Sequence, residues 1–127
     1  MMAPGWIASL VSDFGKAAGL SGFALNERGT AVIAFENGFG LRFEYVEGEL
    51  VMAVTVPAYL DASRTKALLA YAHPKARTGL RLRAGYLVRH GKAVFATRLK
   101  ERAVTLPLVN QAFAVLWRIA QEFGGAR

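Results

Sequence analysis

The stretch Phe39-Gly-Leu-Arg-Phe-Glu-Tyr-Val-Glu-Gly-Glu-Leu-Val-Met-Ala-Val-Thr-Val56 carries the clearest fold signal in the sequence. In Phe39–Val46 large apolar side chains alternate with small or charged ones, which is the pattern of a strand with one buried face. Glu47-Gly48 predicts a turn, and Glu49–Val56 is apolar on both faces. The stretch therefore predicts an antiparallel hairpin whose second strand is covered on each side.

Two further strands are predicted before this hairpin. Thr30–Glu36 leads into Asn37-Gly38, a two-residue sequence typical of tight hairpin turns. Phe23–Asn26 is the first strand candidate, and Glu27-Arg28-Gly29 supplies the turn after it. The four strand segments are joined by short turns, and an antiparallel meander is the simplest arrangement.

A helix is predicted ahead of the meander, over about residues 6–18. Its apolar residues recur at spacings of three and four, which indicates one buried face. Gly19 suits the left-handed position past a helix end, where Leu20 would fold back toward Phe14. Gly15 costs up to about 1 kcal/mol relative to alanine inside a helix. We therefore expect another backbone to pass close to it, either from the sheet or from a partner.

The second half of the chain begins with another predicted helix. Pro57 ends the meander, and either Asp61 or Ser63 can cap a helix that starts there. This helix runs to about Ala72, because Pro74 forbids its continuation.

A second hairpin and a last helix complete the chain. The predicted strands are Gly79–Arg89 and Lys92–Lys100, joined at His90-Gly91, and the helix is Leu108–Phe123. The expected fold is α+β, with one twisted antiparallel sheet of five to six strands and three helices in the order α-β-β-β-β-α-β-β-α.

The composition limits the class of protein. With 127 residues, 54% of them hydrophobic, the chain is expected to form one domain over residues 1–127. The absence of cysteine excludes disulfides, thiolate metal sites and cysteine nucleophiles, and it favours a reducing, cytoplasmic setting. The first residues lack the pattern of a secretory signal, and the longest apolar run, Leu50–Leu60, is far shorter than the roughly 20 residues of a spanning helix.

The charge is unevenly distributed along the chain. The net charge is +7, but residues 1–59 carry −3 and residues 60–127 carry +10. The C-terminal half is therefore expected to attract polyanions or an acidic partner.

The sequence contains no recognisable catalytic or metal-binding motif. His73 lies at a predicted helix end and His90 in a hairpin turn, outside any metal-ligand spacing. No nucleophile elbow or phosphate-binding loop occurs, and Glu47 and Glu49 flank a turn. No cofactor or metal is expected, and an enzyme would have to use a motif that the sequence does not display.

Nucleic-acid binding is the alternative function that the basic hairpin raises. Gly38-Phe39-Gly40 matches part of an RNA-recognition strand, but Asn37, Arg42 and Glu44 stand where that motif needs other residue types. The arginine face of residues 81–89 has no aromatic side chain between its charges, although single-strand binding usually uses such platforms. A solvated basic face and a polyanion site both remain open.

Seven short motifs follow one another along nearly the whole chain. They are Leu10-x-x-x-Phe14-Gly15-x-x-x-Gly19-Leu20, Leu25-Asn-Glu-Arg-Gly29, Val32-x-x-Phe35-Glu-Asn, Val56-Pro57, Ala67-Leu68-Leu69-Ala70-Tyr71-Ala72, Thr78-Gly79 and Phe113-x-x-Leu116-x-x-Ile119-Ala120. In order and spacing they resemble the class I type III secretion chaperones, small dimeric bacterial proteins that hold effectors for export.

This resemblance implies a non-enzymatic, cytoplasmic homodimer. Such a protein binds the unfolded N-terminal segment of a secreted effector and keeps it competent for export, and the secretion ATPase is a further candidate partner. Binding of this kind needs exposed apolar surface and a free strand edge, without insertion into a membrane. The candidate effector-binding residues, each also suited to the core, are Leu10, Phe14, Leu20, Phe23, Phe35, Leu41 and Phe43.

The resemblance also implies where two copies would meet. The middle helix and the following strand would form a self-complementary patch around a twofold axis. The candidate residues for this dimer interface are Leu68, Leu69, Ala72, Leu80 and Leu82.

The charge of this chain departs from the family. Its members are commonly acidic, whereas this chain has a pI near 10.3. We therefore expect an effector segment with acidic residues, whose attraction to the chaperone steers association more than it supplies affinity. The candidate steering residues are Arg81, Arg83, Arg89, Arg98 and Lys100.

Overall fold

Three helices and five strands make up the computed structural model, which describes residues 2–71 and 80–125. The elements are α1 (Gly5–Ala17), β1 (Thr30–Ala34), β2 (Gly40–Val46), β3 (Glu49–Pro57), α2 (Ala62–Tyr71), β4 (Leu82–Leu87), β5 (Lys92–Lys100) and α3 (Leu106–Gly125). The strands form one antiparallel sheet in the order β1-β2-β3-β5-β4. This confirms the predicted fold class, with five strands. None of the described helices is long and apolar enough to cross a membrane.

The end of α1 has the predicted glycine cap. Gly19 adopts a left-handed conformation with φ of 73°. The Leu20 N–H donates to the Gly15 carbonyl at 2.7 Å, and the Gly19 N–H donates to the Lys16 carbonyl at 3.2 Å. These two bonds form a Schellman motif, which satisfies carbonyls at the end of the helix and turns the chain back over it.

The start of α2 is capped by Asp61, one of the two predicted residues. Its Oδ1 atom accepts a hydrogen bond of 2.8 Å from the Arg64 N–H, which is the geometry of a side-chain N-cap. The predicted end of this helix at Ala72 and Pro74 lies outside the described residues.

The prediction of a strand at Phe23–Asn26 is wrong, because this segment is a loop. The Asn26 side chain accepts hydrogen bonds from the N–H groups of Arg28 at 2.9 Å and Thr30 at 3.1 Å, and these bonds close a turn. Asparagine side chains compete in this way with strand pairing. Phe23 is nonetheless buried in the core, so its apolar character reflects burial and not membership of the sheet.

All three helices cover the same face of the sheet. Phe14 of α1 stacks on Phe43 of β2 with 5.1 Å between ring centroids. Tyr71 of α2 and Phe123 of α3 pack on Phe95 of β5 at 5.5 Å and 5.6 Å. The buried strand residues on this face include Leu41, Phe43, Leu50, Met52, Val54, Val56, Ala93, Phe95 and Leu99.

The opposite face, here called the open sheet face, has no described helix or strand over it. On β3 and β5 its centre consists of Val51, Ala53, Val94 and Ala96, all half-buried. The helices cover one face of β3, as predicted. No described helix or strand provides the predicted cover on its other face. The strand residues on the open sheet face are Thr30, Val32, Ala34, Gly40, Arg42, Glu44, Val46, Glu49, Val51, Ala53, Thr55, Pro57, Arg83, Gly85, Leu87, Lys92, Val94, Ala96, Arg98 and Lys100.

Another backbone passes close to Gly15, but it comes neither from the sheet nor from a partner, the two sources predicted. A Cβ atom at this position would lie 2.9 Å from the Phe23 carbonyl oxygen and 3.0 Å from the Phe23 Cβ. The close backbone belongs to the loop after α1 in the same chain. Gly15 therefore serves the packing of this loop onto the helix.

Candidate functional site

Four half-exposed aromatic residues form a continuous surface beside β1. This aromatic surface consists of Phe35, Phe39, Phe113 and Trp117. Trp117 lies at its centre, with ring centroids 4.9 Å from Phe35, 5.0 Å from Phe39 and 5.6 Å from Phe113. Such an area offers a partner both apolar contact and edge-to-face ring packing.

The aromatic surface is supported from beneath by the core. Phe113 packs edge-on against the fully buried Phe14 at 5.3 Å. Phe14 in turn contacts Phe23 at 6.1 Å and Phe43 at 5.1 Å. The half-buried rings are thus held in place by the core, which lowers the entropy that a partner must overcome to bind them.

The predicted effector-binding residues divide into two groups by burial. Leu10, Leu20 and Phe35 are half-buried and reach the surface of the chain. The other four lie in the core and are at most 5% exposed; they are Phe14, Phe23, Leu41 and Phe43. In this single chain, direct contact with a partner is open to the first group.

Phe39, Phe113 and Trp117 belong to the aromatic surface but are not among the effector-binding residues predicted from the sequence. The alternation of Phe39–Val46 predicts burial of Phe39 on one face of a strand. The half-exposure of these three residues comes from their position at the margin of the sheet, next to the edge strand β1. The one available signal was the spacing of Phe113 and Trp117, which places both on one side of α3.

The edge strand β1 presents free backbone groups next to the aromatic surface. Gly29 accepts a hydrogen bond from the Tyr45 N–H, so residues 29, 31 and 33 point their backbone groups toward β2. Val32 and Ala34 consequently point theirs outward, where no described residue pairs with them. The Val32 side chain is 61% exposed. This edge can accept one more strand.

The predicted dimer residues lie on α2 and around β4. Leu69 is 61% exposed, whereas Leu68 is buried beneath it. Leu80 and Leu82 are half-buried against the core, and Ala72 lies outside the described residues. Further exposed apolar side chains occur at the far end of β4 and after β3; these are Leu87, Val88 and Tyr59.

The predicted steering residues Arg81, Arg83, Arg89, Arg98 and Lys100 are all exposed. Arg98 lies 3.4 Å from a Glu49 carboxylate oxygen. The hydroxyl of Thr97 donates to the Arg81 carbonyl at 2.9 Å, which ties the start of this segment to β5. This bond holds the backbone at Arg81 next to β5.

A cleft lined mostly by polar residues lies at the turn between β2 and β3. The Tyr45 hydroxyl donates a hydrogen bond to Glu101, and this bond, followed by burial, raises the pKa of Tyr45 above its ordinary value. His90 is exposed, and His73 lies outside the described residues. In the part of the chain that the structure describes, no group of three His, Asp or Glu side chains could hold a metal ion.

One family model matches almost the whole sequence. It is described as type III secretory system chaperone SycN and matches residues 6–124. No curated protein matches the sequence.

Several solved structures share the fold. A chain of the ExsC–ExsE complex has a TM-score of 0.82 and 19% identity, over 99% of this chain and 96% of that one. For the HopA1–SchA chaperone–effector complex the TM-score is 0.75 with 17% identity, over 95% and 94%. For the heterodimeric ExoU–SpcU complex from the type III secretion system of Pseudomonas aeruginosa it is 0.66 with 16% identity, over 94% and 95%.

Proposed function

The chain belongs to the SycN family of type III secretory system chaperones, and we propose that it binds an unfolded segment of a secreted effector at the aromatic surface and the edge of β1. The general function, a chaperone of type III secretion, follows from the family. The family does not specify where the effector segment binds or how it is held, and both are part of the proposal.

The observation that carries this proposal is the position of the aromatic surface beside a free strand edge. Phe35 follows β1 directly and contacts Trp117, so one extended peptide can reach both features. Pairing with Val32 and Ala34 would supply main-chain hydrogen bonds without regard to sequence. The aromatic rings would select apolar side chains at alternate positions of the peptide. The HopA1–SchA structure, which has a similar fold, is a chaperone–effector complex, and this supports an effector as the partner.

The predicted core residues support this site from below. Phe14, Phe23, Leu41 and Phe43 hold the aromatic surface and β2 in place, while Leu10, Leu20 and Phe35 make direct contact. Substitution of one of the four buried residues should therefore lower the melting temperature more than it weakens binding. Substitution of one of the three surface residues should weaken binding more than it lowers the melting temperature.

A homodimer formed through α2 and β4 is the second part of the proposal. Leu69 projects from α2, and Leu87 and Val88 are exposed at the end of β4. Exposed apolar side chains of this size are typical of surfaces that associate. A twofold axis beside β4 would bring each patch against its own copy. The site of action would be the bacterial cytoplasm, with the secretion ATPase receiving the loaded chaperone.

Co-purification tests the proposal directly. Because a secretion chaperone is often encoded beside its effector, the chain is expressed together with the N-terminal segment of the protein encoded in the adjacent reading frame, and the mass of the complex is measured by light scattering. We expect two chaperone chains and one effector segment. A monomeric chaperone that retains no segment would overturn the proposal.

A proline at position 32 tests the role of the strand edge. Val32→Pro removes an outward N–H group and leaves the ladder between β1 and β2 intact, since proline is tolerated where the N–H faces solvent. We expect binding of the effector segment to weaken at least about tenfold. Val32→Ala is the matched control, because it trims the same side chain and keeps the N–H. Equal loss in both variants would assign the effect to the side chain and contradict strand addition.

A further inference from the structure

The β4–β5 hairpin carries charge of one sign. Residues 80–100 contain six basic residues and no acidic one. Five of the six are exposed and Lys92 is half-buried. Among the described residues, Arg98 alone of the six forms an ion pair, with Glu49. The six residues are Arg81, Arg83, Arg89, Lys92, Arg98 and Lys100.

Strand register places three of these basic residues around the apolar centre of the open sheet face. Arg98 pairs with Val51, and Arg83 pairs with Ala96, which in turn pairs with Ala53. Lys92 pairs with Leu87 at the end of β4. The result is an apolar centre with a basic border along β4 and β5.

This combination defines the chemistry of an occupant. Sheets in α+β proteins bury apolar faces by packing another layer on them, and an amphipathic helix is such a layer. A helix whose apolar stripe rests on Val51 and Ala96 holds its flanking side chains above the border of the sheet. Arginine and lysine are long enough to reach carboxylates at those flanks and to form charge-assisted hydrogen bonds with them.

We propose that the open sheet face binds an acidic amphipathic helix of the secreted effector, with the carboxylates of the helix on Arg83, Lys92 and Arg98. The inference rests on the proposed function, because the effector is taken as the source of the helix. It adds a second contact surface to the aromatic surface, on the opposite face of the sheet. It also gives the unusual charge of this chain a role at a defined place.

Features of the face favour a polypeptide over a nucleic acid. None of the strand positions on the open sheet face is aromatic, so unpaired bases would find no stacking platform there. Phosphate binding also needs no apolar centre, whereas an amphipathic helix does.

A synthetic peptide tests the proposal without the effector. The probe has leucine at positions i, i+3, i+4 and i+7 and glutamate on both flanks, with a fluorescent label for anisotropy. We expect it to bind the full chain and to gain helicity by circular dichroism. The double variant Arg83→Glu/Lys92→Glu should weaken binding at least about tenfold at low salt. Arg118→Glu, an exposed site on α3, is the matched control and should leave binding unchanged.

Further measurements decide between occupants. Equal binding by the double variant would overturn the proposal, as would tighter binding of oligo-dT or of the lysine counterpart of the peptide. The proposal would also be overturned if light scattering showed that the probe displaces a second copy of the chain from this face. Arg83→Gln/Lys92→Gln repeats the test with milder substitutions, and the melting temperature of each variant verifies folding.

The test separates this inference from the proposed function. If the peptide fails to bind while the adjacent-frame segment still forms a complex, the open-face proposal is overturned and the chaperone function stands. If the peptide binds normally to Trp117→Ala while the effector segment is lost, the two surfaces act independently, as expected.

Discussion

Gly15→Ala should destabilise the free protein, although alanine is the better helix former. The substitution removes a helix penalty of about 1 kcal/mol. Against this gain, the new Cβ would lie 2.9 Å from the Phe23 carbonyl oxygen and 3.0 Å from its Cβ. Overpacking against backbone costs typically about 1–3 kcal/mol, so the net loss should lie between about 0 and 2 kcal/mol, with a central value of about 1 kcal/mol.

Thermal unfolding followed by circular dichroism measures this effect. A loss of about 1 kcal/mol should lower the melting temperature by roughly 3–6 °C in a domain of this size. Gly5→Ala is the matched control, because Gly5 belongs to the same helix and a Cβ there meets nothing within 4 Å. The control should be neutral or slightly stabilising. A melting temperature of Gly15→Ala equal to or above that of Gly5→Ala would refute the packing role of Gly15.

Three further perturbations test separate parts of the structure. Asp61→Ala removes the cap of α2 and should cost about 1 kcal/mol in the free energy of unfolding, measured by urea denaturation, with Asp61→Asn largely restoring it. The pKa of Tyr45 is raised in the folded chain, so its hydroxyl contributes stability that is fully present below the ordinary tyrosine value of about 10 and is lost as the pH rises through the raised pKa; Tyr45→Phe should flatten that part of the stability profile. Leu69→Glu should shift the proposed homodimer toward monomer in light scattering, whereas Lys66→Glu on the same helix should not.

Local chemistry in the sequence was enough to predict the ends of several elements. Gly19 and Leu20 predicted the cap of α1, and Asp61 predicted the start of α2, because each rests on hydrogen bonds within a few residues. The same local chemistry explains the error at Phe23–Asn26. There the Asn26 side chain accepts hydrogen bonds from the nearby backbone, and these replace strand pairing. The spacing of apolar residues does not indicate such hydrogen bonds.

The binding surfaces were harder to predict, because alternation identifies a buried face without showing what buries it. Phe43 and Phe39 lie on the same predicted strand, yet Phe43 is fully buried and Phe39 is half-exposed at the margin. They differ in position along the strand, since Phe43 is covered by Phe14 of α1, whereas Phe39 lies just before β2, against Trp117. The open sheet face shows the same limit, since Val51 and Met52 are both apolar and only Met52 is covered by helices.

Residue-resolved amide exchange by nuclear magnetic resonance, in the presence and absence of the adjacent-frame effector segment, tests the central claim most directly. In the free protein the N–H groups of Val32 and Ala34 point outward and should exchange rapidly, whereas those of Ala31 and Ile33 are bonded to β2 and should be protected. The account predicts that the segment slows exchange at Val32 and Ala34 by at least about tenfold. Unchanged exchange at both residues in a fully formed complex would contradict it.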